Sequence, residues 1–265
     1  MAKIKLVTWN INSVRARLPL MEQMLEKYDP DVLCLQETKA EDHQFPSQWF
    51  ADHGLEHQAL AGQKAYHGVA TLSKIPFDNK GRRDWCAKGD ARHVEVRLPG
   101  DVDLHNFYVP AGGHLPDVAL SEKFAHKMDF LNEMTDWSAD LGSAARAILV
   151  GDLNIAPLEH DVWSHKKLIT EVSHTPQECE KMLELMAAHD WFDVMRHFIP
   201  EPEKIYSWWS YRAKDWRASN KGRRLDHVWT SQTLKDNMKS MEVLLEARGW
   251  EKPSDHAPVL VEMDL

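Results

Sequence analysis

The sequence predicts an α/β fold in which two mixed β-sheets pack face to face, with helices on their outer sides. Short apolar runs typical of strands outnumber the amphipathic stretches typical of helices. The two kinds of segment do not alternate strictly, which argues against a simple doubly wound parallel sheet. No repeat, low-complexity tract or linker-like break divides the chain, so we expect a single domain spanning residues 1–265.

The N-terminal part of the chain is predicted to form five strands and one helix. Leu18–Lys27 is the helix, because its apolar residues recur every three or four positions. The strands are short apolar or alternating runs, and the last two are separated by a hairpin-type break at Pro99-Gly100. They lie at Lys5–Ile11, Asp31–Gln36, Gly68–Ser73, His93–Leu98 and Val102–Val109.

The C-terminal part is predicted to form two helices and five strands by the same criteria. The helices are Phe124–Leu141 and Gln177–His189, each with an apolar stripe. The strands lie at Ala147–Val150, Ile205–Trp209, Leu225–Thr230, Met241–Ala247 and Pro258–Met263. The longest loops are candidate binding edges, at Ala40–Gly54, Asp78–Ala91 and Tyr211–Arg224.

The distribution of charge along the chain says more about a nucleic-acid partner than the net charge of −9 does. An acidic total argues against a nucleic-acid partner, because phosphate binding needs Lys and Arg. The cations, however, gather in a cationic segment that also contains Tyr211 and Trp216: Arg212, Lys214, Arg217, Lys221, Arg223 and Arg224. Acids collect elsewhere, as in Glu178–Glu184 and Glu201–Glu203. We therefore predict a polarised molecule whose cationic segment follows a nucleic-acid backbone.

The three cysteines, Cys34, Cys86 and Cys179, indicate the compartment. Their odd number and the lack of C-x-x-C spacing argue against a disulfide framework or a zinc site. The chain starts in a strand-like run rather than a signal-peptide pattern, and no run of 18 apolar residues suggests a membrane span. We expect a cytoplasmic protein without a membrane partner.

Several polar residues stand where predicted strands start or end. They are Asn10, Asn12, Glu37, Tyr108, Asp152, Asn154, Asp226, Asp255 and His256. Taken singly, Asp and Asn at such positions are usually turn formers. Taken together, they supply what a phosphodiester hydrolase needs, namely oxygen ligands for a hard cation, a proton acceptor for water and donors for phosphoryl oxygens.

Six motifs in order resemble the exonuclease–endonuclease–phosphatase superfamily. They are WNINSVRAR (Trp9–Arg17), LQETK (Leu35–Lys39), FYVP (Phe107–Pro110), GDLNIAP (Gly151–Pro157), RRLDHV (Arg223–Val228) and PSDHAPV (Pro253–Val259). GQKAYHGVA (Gly62–Ala70) and YSWWSYR (Tyr206–Arg212) further resemble the exonuclease III branch of abasic-site endonucleases. The resemblance implies a four-layer sandwich, Mg²⁺ or Mn²⁺, and double-stranded DNA with abasic sites or 3′ ends as substrate. It also implies a monomer.

The resemblance also implies roles for individual residues. The metal ligands would be Asn10, Glu37 and Asp255. The catalytic residues would be Tyr108, Asp152, Asn154, Asp226 and His256, with Asp152 acting on the attacking water and Asp226 bracing His256. Substrate contacts are expected from Arg15, Lys39, Arg92, Trp208, Arg212, Lys221 and Arg223, with Trp208 walling the pocket for a baseless sugar.

Two positions depart from the pattern of these relatives. Ala111 follows YVP where Asn or Gln is common, and His93 stands where Arg is common, so each is expected to weaken a phosphate contact. Three other functions are weighed against the nuclease: a non-catalytic nucleic-acid-binding regulator, a lipid or inositol phosphatase and a secreted deoxyribonuclease. The intact polar set argues against the regulator. YSWWSYR with its basic loop argues against the phosphatase, and the missing signal and disulfides argue against the secreted enzyme.

Overall fold

The structure, a computed structural model, describes residues 3–265. Its fourteen strands are β1 (Lys3–Asn10), β2 (Val32–Gln36), β3 (His57–Ala61), β4 (Val69–Ser73), β5 (Asp78–Gly81), β6 (His93–Leu98), β7 (Val102–Tyr108), β8 (Ala147–Asp152), β9 (Phe192–Asp193), β10 (Trp208–Trp209), β11 (Gly222–Arg223), β12 (Asp226–Thr230), β13 (Met238–Val243) and β14 (Val259–Asp264). Its seven α-helices are α1 (Leu18–Tyr28), α2 (Ser47–Asp52), α3 (Glu122–Ala139), α4 (His165–Leu168), α5 (Pro176–Ala188), α6 (Val194–Phe198) and α7 (Trp216–Ser219). Short 3-10 helices occur at Arg15–Arg17, Asp42–Gln44, Trp85–Ala87, Glu159–Asp161, Gln232–Asn237 and Leu245–Gly249.

Two six-stranded mixed sheets form the centre of the molecule. The first has the order β13-β14-β1-β2-β4-β3, and the second has the order β5-β6-β7-β8-β12-β9. In each sheet one central pair is parallel, β1 with β2 and β7 with β8, and all other pairs are antiparallel. β10 and β11 form a separate two-stranded ribbon.

The sheets face each other across an apolar core, and helices cover their outer faces. Leu6 and Val261 from the first sheet meet Val96 and Val150 from the second in this core, all fully buried. On the outside, α1 and α2 cover the first sheet, and α3 and α5 cover the second. Burying one such side chain stabilises the fold by about 1.5–3 kcal/mol. The predicted four-layer sandwich is confirmed.

The shared core also bears on domain organisation. Leu6 and Val32 come from early in the chain and Val228 and Val261 from its end, yet all four lie in the same cluster. We therefore propose that the chain forms one domain. Within residues 3–265 no helix is both long enough and apolar enough to cross a membrane.

The predicted elements differ from the observed ones mainly at the edges. The predicted strand Ile205–Trp209 contracts to β10, and the predicted loop Ala40–Gly54 contains α2. β5 lies inside another predicted loop, because its sequence DNKG is fully exposed at the sheet edge and carries no apolar alternation. The predicted strand Met241–Ala247 was placed about three residues too late, since β13 starts at Met238 and ends at Val243.

Strand direction brings the polar residues to one end of the sandwich. β1 and β2 run parallel, so their carboxyl ends, at Asn10 and Gln36, lie side by side. β7 and β8 end together in the same way, with Tyr108 opposite Asp152. β12 is antiparallel to β8, so its first residue, Asp226, lies opposite Asp152. The antiparallel β14 begins at this end too.

Candidate active site

The backbone at the ends of the strands turns sharply to present the polar side chains. Glu37 follows β2 directly and has a φ of 49°, and Asn154 has a φ of 55° after β8. These left-handed conformations are uncommon for residues with a side chain and are often found at functional sites. At Gly151 any side chain is excluded, because a Cβ would lie 1.9 Å from the carbonyl oxygen of Phe107. The turns thus fix where Asp152 and Glu37 point.

Glu37, Asn10, Tyr108 and Asp152 form one hydrogen-bonded group, which we call the site floor. The Asn10 amide donates to Glu37 Oε1 at 2.9 Å and to Asp152 Oδ2 at 2.8 Å. The Tyr108 hydroxyl also donates to Glu37 Oε1, at 2.9 Å. Asn154 donates to Asp152 Oδ2 at 3.1 Å and to the carbonyl of Val109 at 3.0 Å. Neutral donors therefore contact both carboxylates, and the Lys39 ammonium also lies 2.9 Å from Glu37.

His256 and Asp226 form a buried pair beside the site floor. His256 Nδ1 lies 2.7 Å from Asp226 Oδ2, and His256 Nε2 lies 3.7 Å from Asp152 Oδ2. Burial lowers the pKa of His256, but the carboxylates of Asp226 and Asp152 outweigh burial and raise it to about 10. The imidazole is thus cationic at neutral pH, with its Nε2 on the side of Asp152.

The carboxylates of the site floor differ in their affinity for protons. Burial raises the pKa of Asp152 to about 7, against the opposing charge of His256. Burial also acts to raise the pKa of Glu37, but the Lys39 ammonium and the Asn10 amide outweigh it and hold that pKa below its ordinary value. Burial and the charge of Glu37 raise the pKa of Tyr108, so its hydroxyl stays protonated. Asp152 is therefore the group best suited to exchange a proton.

The oxygen atoms at the site floor fit a divalent metal ion. Glu37 and Asp152 offer carboxylate oxygens, and Asp255 lines the same cleft, held by Trp208 at 3.0 Å and by Asn12 at 3.1 Å. Asp152, Asp226 and His256 also place one ligand atom each within 4.8 Å of one another. Because both nitrogens of a cationic imidazole carry protons, we do not assign His256 as a ligand. The oxygen donors agree with a hard cation.

A cleft of about 610 Å³ opens above the site floor. Its apolar wall packs Trp208 and Trp163 against Leu168 and Leu225. Cationic side chains line the same cleft, namely Arg212, Lys221 and Arg223. The guanidinium of Arg223 lies over the Trp208 ring at 5.5 Å. The cleft thus joins an acidic floor to an aromatic and basic wall.

The sequence pattern of the Endonuclease/Exonuclease/phosphatase family matches residues 7–256. The chain belongs to this family. It is 31% identical to exodeoxyribonuclease III of Haemophilus influenzae over 98% of this chain and 99% of the relative. It is 30% identical to an exodeoxyribonuclease of Bacillus subtilis over 97% and 98% of the two chains.

Solved structures of similar proteins share the whole fold. An AP endonuclease from Archaeoglobus fulgidus matches with a TM-score of 0.91 at 30% identity, over 99% of this chain and 100% of that one. A 3′-5′ exonuclease from Neisseria meningitidis matches with a TM-score of 0.90 at 30% identity, with the same coverage. A 3′ phosphatase from Neisseria, solved with a product DNA hairpin, matches equally well, at 0.90.

The structure of this family member brings most of the predicted site residues together. Those at or lining the cleft are Glu37, Tyr108, Asp152, Asn154, Trp208, Arg212, Lys221, Arg223, Asp255 and His256. Asn10 and Asp226 lie directly behind them, each bonded to a residue of that set. Lys39 bonds Glu37 at 2.9 Å, and the exposed Arg15 extends to the carbonyl of Lys39 at 3.4 Å.

Two arginines lie elsewhere than the sequence suggested. Arg92, predicted to bind substrate, is buried behind Tyr108, where it bonds Asp90 at 3.0 Å and the Tyr108 carbonyl at 3.2 Å. It therefore positions Tyr108 rather than lining the cleft. Arg224, counted in the cationic segment, is fully buried and paired with Asp161 and Asp193. The sequence of a charged segment does not show which of its side chains are buried in the folded protein.

The two positions that depart from the family pattern lie in different parts of the structure. Ala111 lines the cleft, in agreement with a changed substrate contact. His93, expected to weaken a phosphate contact because relatives have Arg there, is buried, stacked on Phe107 with ring centroids 4.4 Å apart and on His105 at 5.5 Å. It belongs to the core beneath α3. The sequence reading also missed Trp163 in the cleft wall, because a single Trp before a short polar helix has no distinguishing pattern.

Proposed function

We propose that this nuclease hydrolyses double-stranded DNA on the 5′ side of abasic sites and removes nucleotides from 3′ ends. The products would carry 3′-hydroxyl and 5′-phosphate ends. One observation carries the proposal: Glu37, Asn10, Asp152 and His256 form a continuous polar floor beneath a cleft with an aromatic and cationic wall. The relatives named exodeoxyribonuclease III, AP endonuclease and 3′-5′ exonuclease support the substrate.

Glu37, Asn10 and Asp255 would hold the metal ion, which we propose is Mg²⁺ or Mn²⁺. Glu37 is the chief ligand in this assignment, because it stands at the centre of the site floor. When bound, such an ion supplies positive charge that stabilises the developing negative charge on the phosphoryl group. Lys39, 2.9 Å from Glu37, keeps that carboxylate ionised and available.

Side chains of the protein perform the proton transfer and stabilise the phosphoryl oxygens. Asp152 accepts the proton of the attacking water, which suits a carboxylate whose pKa burial raises to about 7. Asn10 and Asn154 hold its Oδ2 in place at 2.8 and 3.1 Å. The cationic His256, braced by Asp226, donates to the phosphoryl oxygens, and the Tyr108 hydroxyl, which bonds Glu37 in the free protein, would turn to do the same, so that both stabilise charge that grows in the transition state.

The wall of the cleft would select the substrate. Arg15, Lys39, Arg212, Lys221 and Arg223 are proposed to contact backbone phosphates. Trp208, half-buried and bonded to Asp255, would exclude a nucleotide that still carries its base. An abasic sugar leaves the helical stack at lower cost than a normal nucleotide, so it enters more readily.

A three-substrate assay tests this function. A duplex with one abasic analogue, an intact duplex and a nicked duplex are incubated with Mg²⁺ or with EDTA, and the product ends are identified. We expect cleavage 5′ to the analogue, shortening from the nick, and neither in EDTA. Binding without cleavage would support a regulator, and turnover in EDTA would overturn the metal assignment.

Trp208→Ala separates abasic recognition from general catalysis. We expect it to reduce cleavage at the abasic analogue about tenfold more than cleavage of a simple phosphodiester, because losing the Trp208 bond to Asp255 affects both reactions alike, whereas losing the aromatic wall affects only the abasic sugar. Equal loss of both activities would instead make Trp208 structural. The predictions of a monomer and of a cytoplasmic location stay predictions; three free cysteines support the latter.

A further inference from the structure

A tryptophan outside the predicted site collects cations beside the cleft. The ammonium groups of Lys167 and Lys221 each lie 5.1 Å from the ring centroid of Trp163. A third lysine, Lys204, donates to the Trp163 carbonyl at 2.8 Å. Trp163 and Lys221 also line the cleft. Three lysines from three separate segments thus converge on one residue.

The backbone fixes this cluster relative to the catalytic residues. The Trp163 amide donates to the Gly222 carbonyl at 3.1 Å, and Val162 pairs with Arg223 in an isolated bridge. Gly222 has no room for a side chain, because a Cβ would lie 2.6 Å from the Tyr206 ring. The Trp163 side chain packs in the same small apolar cluster as Trp208. The lysines are therefore held at a set distance from the aromatic wall of the active site.

The charges of the cluster have no internal partner. Among residues 3–265, none of Lys167, Lys204 and Lys221 lies within 4.0 Å of a carboxylate. All three are exposed, and the protein as a whole carries nine more acidic than basic residues. Exposed like charges repel, so gathering them on one indole is favourable when an anion joins them.

We propose that Trp163, Lys167 and Lys221 form a binding site for a phosphodiester of the bound nucleic-acid strand other than the one that is cleaved. The inference rests on the proposed function, since it assigns a second contact to the same substrate. Trp163 is a positioning residue here: its ring orders two flexible ammonium groups, while the lysines contact the phosphate. The site sets affinity for the strand and takes no part in the chemistry at the site floor.

The test compares two neighbouring lysines. Lys167→Gln and Lys166→Gln remove the same charge from adjacent exposed positions, but Lys166 makes no cation–π contact among the described residues. The Kd for a duplex with one abasic analogue is measured in EDTA over a series of salt concentrations. The Lys167→Gln/Lys221→Gln pair should flatten the plot of log affinity against log salt by about 0.9, the value for one phosphate contact, and Lys167→Gln alone by a measurable part of that. Lys166→Gln should leave the slope within error of wild type.

A change at the indole gives the second measurement. Trp163→Leu keeps both charges and should weaken binding roughly two- to fivefold, the size of an exposed cation–π contact. Trp163→Phe should restore most of the lost affinity. When cleavage is measured with Mg²⁺, Trp163→Leu should raise KM and leave kcat near the wild-type value. If Trp163→Leu does not fold, the lysine comparison decides.

The outcomes separate this inference from the proposed function. Equal slopes for Lys167→Gln and Lys166→Gln, with wild type binding and cutting the duplex, overturn the phosphate site alone. A wild-type protein that neither binds nor cuts the duplex overturns the proposed function.

Discussion

Two groups of largely buried charges in this fold differ in the balance of acidic and basic side chains. The first is the active-site group of Glu37, Asp152, Asp226 and His256. Its three carboxylates face two cations, the His256 imidazolium and the Lys39 ammonium beside Glu37, and Asp226 Oδ1 is buried without a hydrogen-bond partner in residues 3–265. The group therefore has room for another positive charge.

The second group, which we call the closed network, joins Asp161 and Asp193 to Arg196 and Arg224. Arg224 lies 2.9 Å from Asp161 and 2.7 Å from Asp193, and Arg196 lies 2.6 Å from Asp161. Two acids meet two bases, so the charges cancel. The arginines outweigh burial and hold the pKa of Asp161 below its ordinary value.

The closed network supports the site without entering the cleft. It ties the segment before Val162 to Arg224, two positions before Asp226, which we propose to be catalytic. The buried pair of Lys127 and Glu178, 2.5 Å apart, acts similarly, because Lys127 also donates to the Asn154 carbonyl at 2.8 Å. Buried charges with matched partners thus stabilise the fold. Buried acidic charges that outnumber their cationic partners lie at the candidate active site. Four predictions test that contrast.

The largest effect is expected at the centre of the active-site group. Glu37→Gln should lower kcat by on the order of a thousandfold or more, because the metal ion and its stabilisation of the transition state are lost. Unfolding in urea without metal should show no loss of stability, since one of several like charges is gone. Partial rescue by excess Mg²⁺ would support Glu37 as a metal ligand. A destabilised variant would show instead that Glu37 serves to stabilise the fold.

His256 and Asp226 should behave as a unit. His256→Asn and Asp226→Asn are each expected to reduce kcat about a hundredfold to a thousandfold, since a positioned cationic donor is lost. The double variant should lose little more than the worse single one, because residues that act through each other are not additive. Single-turnover rates of the three variants measure this, and fully additive losses would show that the two act separately.

Asp161→Asn should lower stability and leave kcat unchanged, which is the opposite of the result expected for Glu37→Gln. Removing one partner leaves Arg224 buried with part of its charge unmatched, which is expected to cost about 3–5 kcal/mol of unfolding free energy. The kcat of the molecules that remain folded should stay near wild type. Urea unfolding and active-site titration measure the two quantities, and a stable but inactive variant would show that Asp161 serves catalysis rather than the fold.

The smallest effect is the response of the folded state to metal. Adding Mg²⁺ at about ten to a hundred times its Kd should raise the unfolding free energy of the wild type by roughly 1.4–2.7 kcal/mol. Asp161→Asn should gain as much, since its metal site is intact, and Glu37→Gln should gain little. Thermal melting with and without Mg²⁺ shows the difference. An equal gain in all three proteins would locate the metal elsewhere.

The sequence by itself determined the fold class and the composition of the site floor. Apolar runs and their spacing predicted most central strands, because burial on both faces leaves a local signature. The polar residues at strand ends predicted a hydrolytic site, and their order along the chain indicated the family. Edge elements such as β5 and α2 escaped prediction because their few buried residues form no regular pattern.

Only the tertiary structure decided which charges serve chemistry and which serve the scaffold. Asp152 and Asp161 are both buried, yet one bonds Asn10 from 142 positions away and the other pairs with Arg224. Arg92, expected to contact substrate, and His93, expected to weaken a phosphate contact, are likewise both interior residues. The physical reason is that a charge takes its pKa and its stability from burial and from partners distant in sequence, and neither is written in the local pattern.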